Sequence, residues 1–165
     1  MAGITGNHIY LVKLVQLNAS TGKPQTSTPH VYALAQRLKA PDAIEAGYII
    51  YRKPYYYLFT SFGLCCRGVN STYHIMVGRS KTVTGAYVDK SGKRLLQGGG
   101  TEVLKSQGNM IGPGGQSIYK HGSTYYMVYH YYDAKEAGAA RLQIRKLSWT
   151  PSGWPTAGKP IVPVP

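Results

Sequence analysis

Two stretches of the chain carry short runs of apolar and aromatic residues on both sides of a basic turn, the pattern of a mostly buried strand followed by an aromatic one. GYIIYRKPYYYLFTSF spans 47–62, and GQSIYKHGSTYYMVYHYY spans 115–132. Each reads as a β-hairpin: Gly-x-x-Ile-Tyr followed by a basic residue, a turn, then an aromatic strand. The pattern aligns Ile50 with Ile118, Tyr51 with Tyr119, and Leu58-Phe59 with Met127-Val128. A further strand with basic positions follows each hairpin, YHIMVGRSKTVTGAYV and then ARLQIRKLSWTPSGWP. A third copy of that strand, HIYLVKLVQLNASTGKP, opens the chain. All three end in a glycine turn, at Thr21-Gly22, Thr84-Gly85 and Ser152-Gly153.

Gly47 and Gly115 are 68 residues apart (115 minus 47). A long-period repeat of antiparallel sheet is the pattern of propeller blades, each burying a face against the next. The expected organisation is one truncated propeller domain over 1–165: outer strands of one blade at 1–30, a second blade at 44–98, a third at 99–160. About two and a half blades leave sheet faces uncovered, which predicts completion by self-association into a homo-oligomer.

Composition narrows the surface chemistry. Fifteen Tyr against two Phe and two Trp suit strands that border water or a polar ligand. Nineteen Lys and Arg against six acids give a formal charge of +13. Its densest clusters, Lys90 to Arg94 and Arg141 to Lys146, are short and carry no recognition motif, so a nucleic-acid partner is not expected. Cys65 and Cys66 are adjacent and point to opposite faces of an extended chain, which reads as two free thiols without zinc spacing. No apolar stretch reaches the length of a membrane span, and the first residues lack a leader pattern. The sequence is thus compatible with a secreted or a cytoplasmic location.

IEAGYIIYRKPYYYLFTSFGLCCRGVNSTYHIMVGRSKTVTGAYVD, followed by GGGTEVL, IGPGGQSIY, YHYYDA and LQIRKLSW…GWP, resembles the arabinanases of glycoside hydrolase family 43. That resemblance implies a five-bladed propeller, inverting cleavage of α-1,5-linked arabinan, and an extracellular lineage. It implies a catalytic set of an Asp base, a second Asp that tunes it, and a Glu acid. Only the Glu is matched, by Glu45 in Ile44-Glu45-Ala46. A general acid must hold a proton for the leaving oxygen, which is why the chemistry needs a carboxyl group there. Neither family Asp is matched. Asp133 in YHYYDA is a candidate recruited base or, alternatively, a turn acid.

Where family members have Pro two residues after this Glu, Gly47 stands here, which predicts a looser loop. Gly112-Pro113-Gly114-Gly115-Gln116 takes the place of a Gly-Pro-Gly-His metal motif. The resemblance places Phe62, Cys66, Arg67, Asn70, Ser71, Gln116 and Tyr131 on the substrate side. Arg67 has the donor fork to bind sugar hydroxyls, while CCRGVNST also reads as loop scaffolding. No cofactor is required. A central divalent metal such as calcium would rest on His130, although a lone histidine is more often a hydrogen-bonded structural residue. The expected function is an arabinanase-like hydrolase of arabinan or arabino-oligosaccharides, with a non-catalytic arabino-oligosaccharide-binding fragment as the alternative.

Overall fold

The computed structural model describes residues 11–161. His8 to Tyr10 of the opening strand reading lie outside them. Among the described residues ten strands form three separate antiparallel sheets. The first pairs β1 (Leu11–Val15) with β2 (Val31–Gln36). The second runs in order β3 (Ile44–Arg52), β4 (Tyr55–Phe62), β5 (His74–Ser80) and β6 (Thr101–Leu104). The third runs β7 (Met110–His121), β8 (Thr124–Asp133), β9 (Ala139–Trp149) and β10 (Pro155–Pro160). Four-stranded meanders packed face to face through β3, β4 and β7 are propeller blades, and the chain is a partial propeller.

By pairing order, β1 and β2 correspond to the two outer strands of the later sheets, since β1 pairs with β2 as β5 does with β6 and β9 with β10. The strands run further than the sequence pattern set them. β2 ends at Gln36 rather than 30, and β6 carries the second sheet to Leu104 rather than 98. The turn glycines Gly22, Gly85 and Gly153 all sit at positive φ, as the repeated Thr/Ser-Gly pairs suggested.

The hairpin register corrects the alignment of the two repeats. Arg52 pairs with Tyr55 and His121 with Thr124, so both turns hold two residues. Ile49 then lies opposite Leu58 just as Ile118 lies opposite Met127, making Ile49, not Ile50, the counterpart of Ile118. The Gly-x-x-Ile-Tyr match misled because bulges between Glu45 and Tyr48, and on either side of Gly114, shift the strand starts.

With register set, the faces separate cleanly. Leu34, Ala35, Ile44, Leu58 and Phe62 form a core between the first and second sheets. Tyr57, Phe59, Ile75 and Val77 of the second sheet join Ile118, Met127, Tyr129 and Tyr131 of the third in the larger core. Polar ties reinforce this junction at its outer end. Arg79 lies 4.3 Å from the rings of both Tyr55 and Trp154 and donates to the Ser152 carbonyl, while Tyr57 Oη donates to the Gly153 carbonyl at 2.6 Å. Each cation–aromatic contact of this kind is worth about 1 kcal/mol.

Candidate active site

One end of the partial propeller gathers the start of β3, the loop from Gly63 to Tyr73, the start of β7 and the end of β8. Glu45 stands exposed on β3 beside the bulge, paired with Ser61 of β4. Its neighbour Ala46 has φ 52°, a left-handed conformation that costs a residue with a Cβ about 1–2 kcal/mol. Gln116 holds it there. Its Nε2 donates to the Ala46 carbonyl at 2.7 Å, and its Oε1 accepts from Ser61 Oγ at 2.8 Å. Ser61 Oγ in turn accepts from the Gly115 N–H at 2.9 Å. Gln116 and Ser61 are both buried, so the carboxylate's backbone is fixed by a dry clamp between two sheets.

Gly47 is not part of a loosened loop. It lies within β3, and a Cβ added there would meet Val12 Cγ1 at 2.9 Å, so the first sheet packs where a side chain would stand. The glycines that open β7 serve a similar end. A Cβ at Gly114 would fall inside the Tyr73 ring, and one at Gly115 would reach His130 Nδ1 at 2.7 Å.

His130 projects from β8 next to this cluster, with its ring 5.9 Å from Tyr73 and 5.5 Å from Tyr132. Burial lowers its pKa, and the charge of Glu45 opposes that shift. Glu45 also acts on Cys65, whose thiol is pushed up to about 11 by burial first, then by its hydrogen bond with Cys66 and the charges of Cys66 and Glu45. Cys65 is therefore a neutral thiol at ordinary pH.

The residues expected on the substrate side divide. Cys66, Arg67 and Asn70 are exposed on the loop beside Glu45. Tyr132 Oη anchors that loop by accepting from the Cys66 N–H at 2.7 Å, and Cys66 has φ 63°. Ser71 is buried and accepts from the Arg67 N–H at 3.1 Å, which is loop scaffolding. Gln116 is a positioning residue. Tyr131 is 2% exposed in the core between sheets and out of a ligand's reach. Phe62 is 5% exposed and packs toward the first sheet, beneath Arg37 and edge-on to His74. Ser61, Ala46 and Tyr132 were not singled out from the sequence. The alternation that places Ser61 opposite Glu45 is visible there, but its partners are far along the chain.

All six acids of the chain fall among the described residues. Asp42 lies by Arg37, Glu102 pairs with Lys105, and Glu136 with Arg141. Asp89 is bound into its own turn by Ser91, Lys93 and Gly100. Asp133 is 0% exposed and caps the following 3-10 turn, accepting from the Lys135 N–H at 3.0 Å. Such burial leaves no open path for water to this carboxylate and fits the turn-acid reading of Asp133. A calcium or similar ion needs six or more oxygen ligands. Among the described residues no group of three or more His, Cys, Asp or Glu converges.

The sequence pattern of glycosyl hydrolases family 43 matches residues 3–155. The chain belongs to this family. It is 47% identical over 145 residues to the extracellular endo-α-(1→5)-L-arabinanase 1 of Bacillus subtilis (strain 168), covering 88% of this chain and 43% of that protein. It is 40% identical over 152 residues to the extracellular exo-α-(1→5)-L-arabinofuranosidase ArbA of Cellvibrio japonicus (strain Ueda107), covering 87% and 44%. Among solved structures, the Cellvibrio cellulosa α-L-arabinanase complexed with arabinohexaose superposes with a TM-score of 0.83 at 37% identity, over 88% of this chain and 49% of that one. The family 43 chain thus spans less than half the length of these relatives. No helix among the described residues is long and apolar enough to cross a membrane.

Proposed function

We propose that this chain supplies the general-acid half of an arabinan-hydrolysing site, with Glu45 as the proton donor to the leaving sugar oxygen. Support comes from one arrangement above all: an exposed carboxylate beside the left-handed Ala46, whose carbonyl is clamped by a buried glutamine from the neighbouring sheet. Such preorganisation keeps a group where a reacting bond will lie. Cys66, Arg67 and Asn70 border it with exposed groups able to meet sugar hydroxyls. The two relatives, an endo-α-(1→5)-L-arabinanase and an exo-α-(1→5)-L-arabinofuranosidase, suggest the substrate class.

Inversion requires a base roughly 6.5–9.5 Å across the sugar from the acid. The other five acids of the chain are engaged elsewhere or closed off, so the base is not one of these residues. That observation favours a second reading, an arabino-oligosaccharide-binding fragment without turnover. Reducing-sugar release from linear arabinan by the native chain and Glu45→Gln separates the two. Glu45-dependent release supports the acid role, and binding of arabino-oligosaccharide without release supports the binding module.

Copies of the chain associate, on this reading, through the uncovered face of the third sheet, where Tyr119 and Leu142 are 59% and 63% exposed. Sedimentation equilibrium tests it: a monomer at all concentrations rules it out. The extracellular placement of the relatives suggests the same for this chain.

A further inference from the structure

At the same end as Glu45, between the first and second sheets, a cavity of about 390 Å³ is walled by Arg37, Lys39 and Lys93, with Leu38, Phe62 and Met76 as apolar surface. It adjoins the acid's strand: Phe62 pairs with Ile44, one position from Glu45 and Ser61. No acid lines it. The two ion pairs among the described residues, Lys105 with Glu102 and Arg141 with Glu136, use none of its three cations. Arg37 is the telling member. Its guanidinium lies 5.1 Å from the centre of the Phe62 ring, and its Nη1 is buried without a hydrogen-bond partner. A buried, unsatisfied guanidinium donor is costly unless an acceptor arrives, and a carboxylate matches its fork.

Size and surface select among anions. A site of this volume falls in the range that holds small organic ligands. A bare inorganic anion would satisfy Arg37 but leave Met76 and Leu38 wet. A sugar ring carrying a carboxylate would satisfy both, its C–H face on the apolar wall and its anion on Arg37. We propose that this groove binds a uronate unit of an acidic polysaccharide, with Arg37 taking the carboxylate and Lys39 and Lys93 supplying the surrounding positive field. The site is separate from the chemistry at Glu45 and stands whether or not the chain hydrolyses arabinan.

Calorimetric titration of the full chain with trigalacturonate, its methyl ester and inorganic phosphate tests the assignment. Trigalacturonate is expected to bind, to weaken as salt rises from about 50 to 200 mM, and to bind at least about tenfold more tightly than its methyl ester. Arg37→Gln is expected to lose about tenfold or more, and Arg37→Lys to recover part of it. Lys13→Gln, on the exposed side of β1, is expected to change nothing. Because Arg37 packs on Phe62, Lys93→Gln provides an exposed alternative and is expected to weaken binding by about threefold. Equal affinity for the ester, or for phosphate, would overturn the uronate assignment. So would a loss in Lys13→Gln as large as that in Arg37→Gln, or an unchanged Lys93→Gln.

Discussion

The second and third sheets present the same face to different surroundings. In the second sheet, Ile50, Tyr57, Phe59, Ile75 and Val77 lie under the third, and Tyr57 and Phe59 are at most 1% exposed. The counterparts fixed by the hairpin register and by pairing with β5 and β9 are Tyr119, Tyr126, Val128, Leu142 and Ile144. These carry nearly the same apolar character, yet Tyr119 and Leu142 are exposed and the other three half-buried. One pattern of residues thus yields a packed core in one place and an open apolar face in the other. The strand pattern specifies that a face is to be buried, not what buries it.

Truncation at equivalent positions should break the symmetry most visibly. Phe59→Ala is expected to cost about 3–5 kcal/mol in urea unfolding, as for other buried aromatics. Val128→Ala, at the matched position, should cost under about 1 kcal/mol in the same measurement while the face stays uncovered. A comparable loss at both would mean that Val128 is buried in solution, most simply by a second copy. Gln116→Leu comes next, at about 2 kcal/mol, because it leaves the Ala46 carbonyl and Ser61 hydroxyl without their partner. The same variant should lower any Glu45-dependent sugar release, whereas Val128→Ala should not.

Smaller effects sharpen the picture of the open face. Leu142→Lys should leave the unfolding midpoint nearly unchanged but abolish concentration-dependent association in sedimentation. His130 supplies a pH signature. Its pKa is lowered in the fold, so the unfolded chain binds more protons just below the ordinary histidine value. Stability should fall as pH drops from 7 through that range, and His130→Gln should flatten this part of the profile. An identical slope in both proteins would show that His130 is as accessible to protons folded as unfolded.

Local pattern carried the architecture further than it carried the site. Alternating tyrosines, basic turns and repeated Ser/Thr-Gly pairs sufficed for the hairpins and for the partial propeller, because strands and turns are coded by neighbours. Register slipped by one residue at Ile50 because bulges at Glu45 and Gly114 leave no mark in an apolar–polar pattern. β2 was passed over because VYALAQ pairs only with β1, across a long connection. Tyr131 and His130 were both expected at the site, yet successive residues on a strand face opposite ways, and only His130 does. The Gln116 clamp was hidden for a different reason: its partners, Ala46 and Ser61, are 70 and 55 residues away. No local signal announces a bond of that span.

The length of that connection also gives the clamp a place in time. The β3–β4 ladder brackets Ala46 on both sides, but the side-chain bond to its carbonyl comes from Gln116 and needs β7 docked against β3 and β4. Closing a loop of that span is among the slower steps available to a chain of this kind. On the proposed role of Glu45, its clamp is complete only once both sheets have met. A chain with only the second sheet formed would carry Glu45 without the Gln116 clamp.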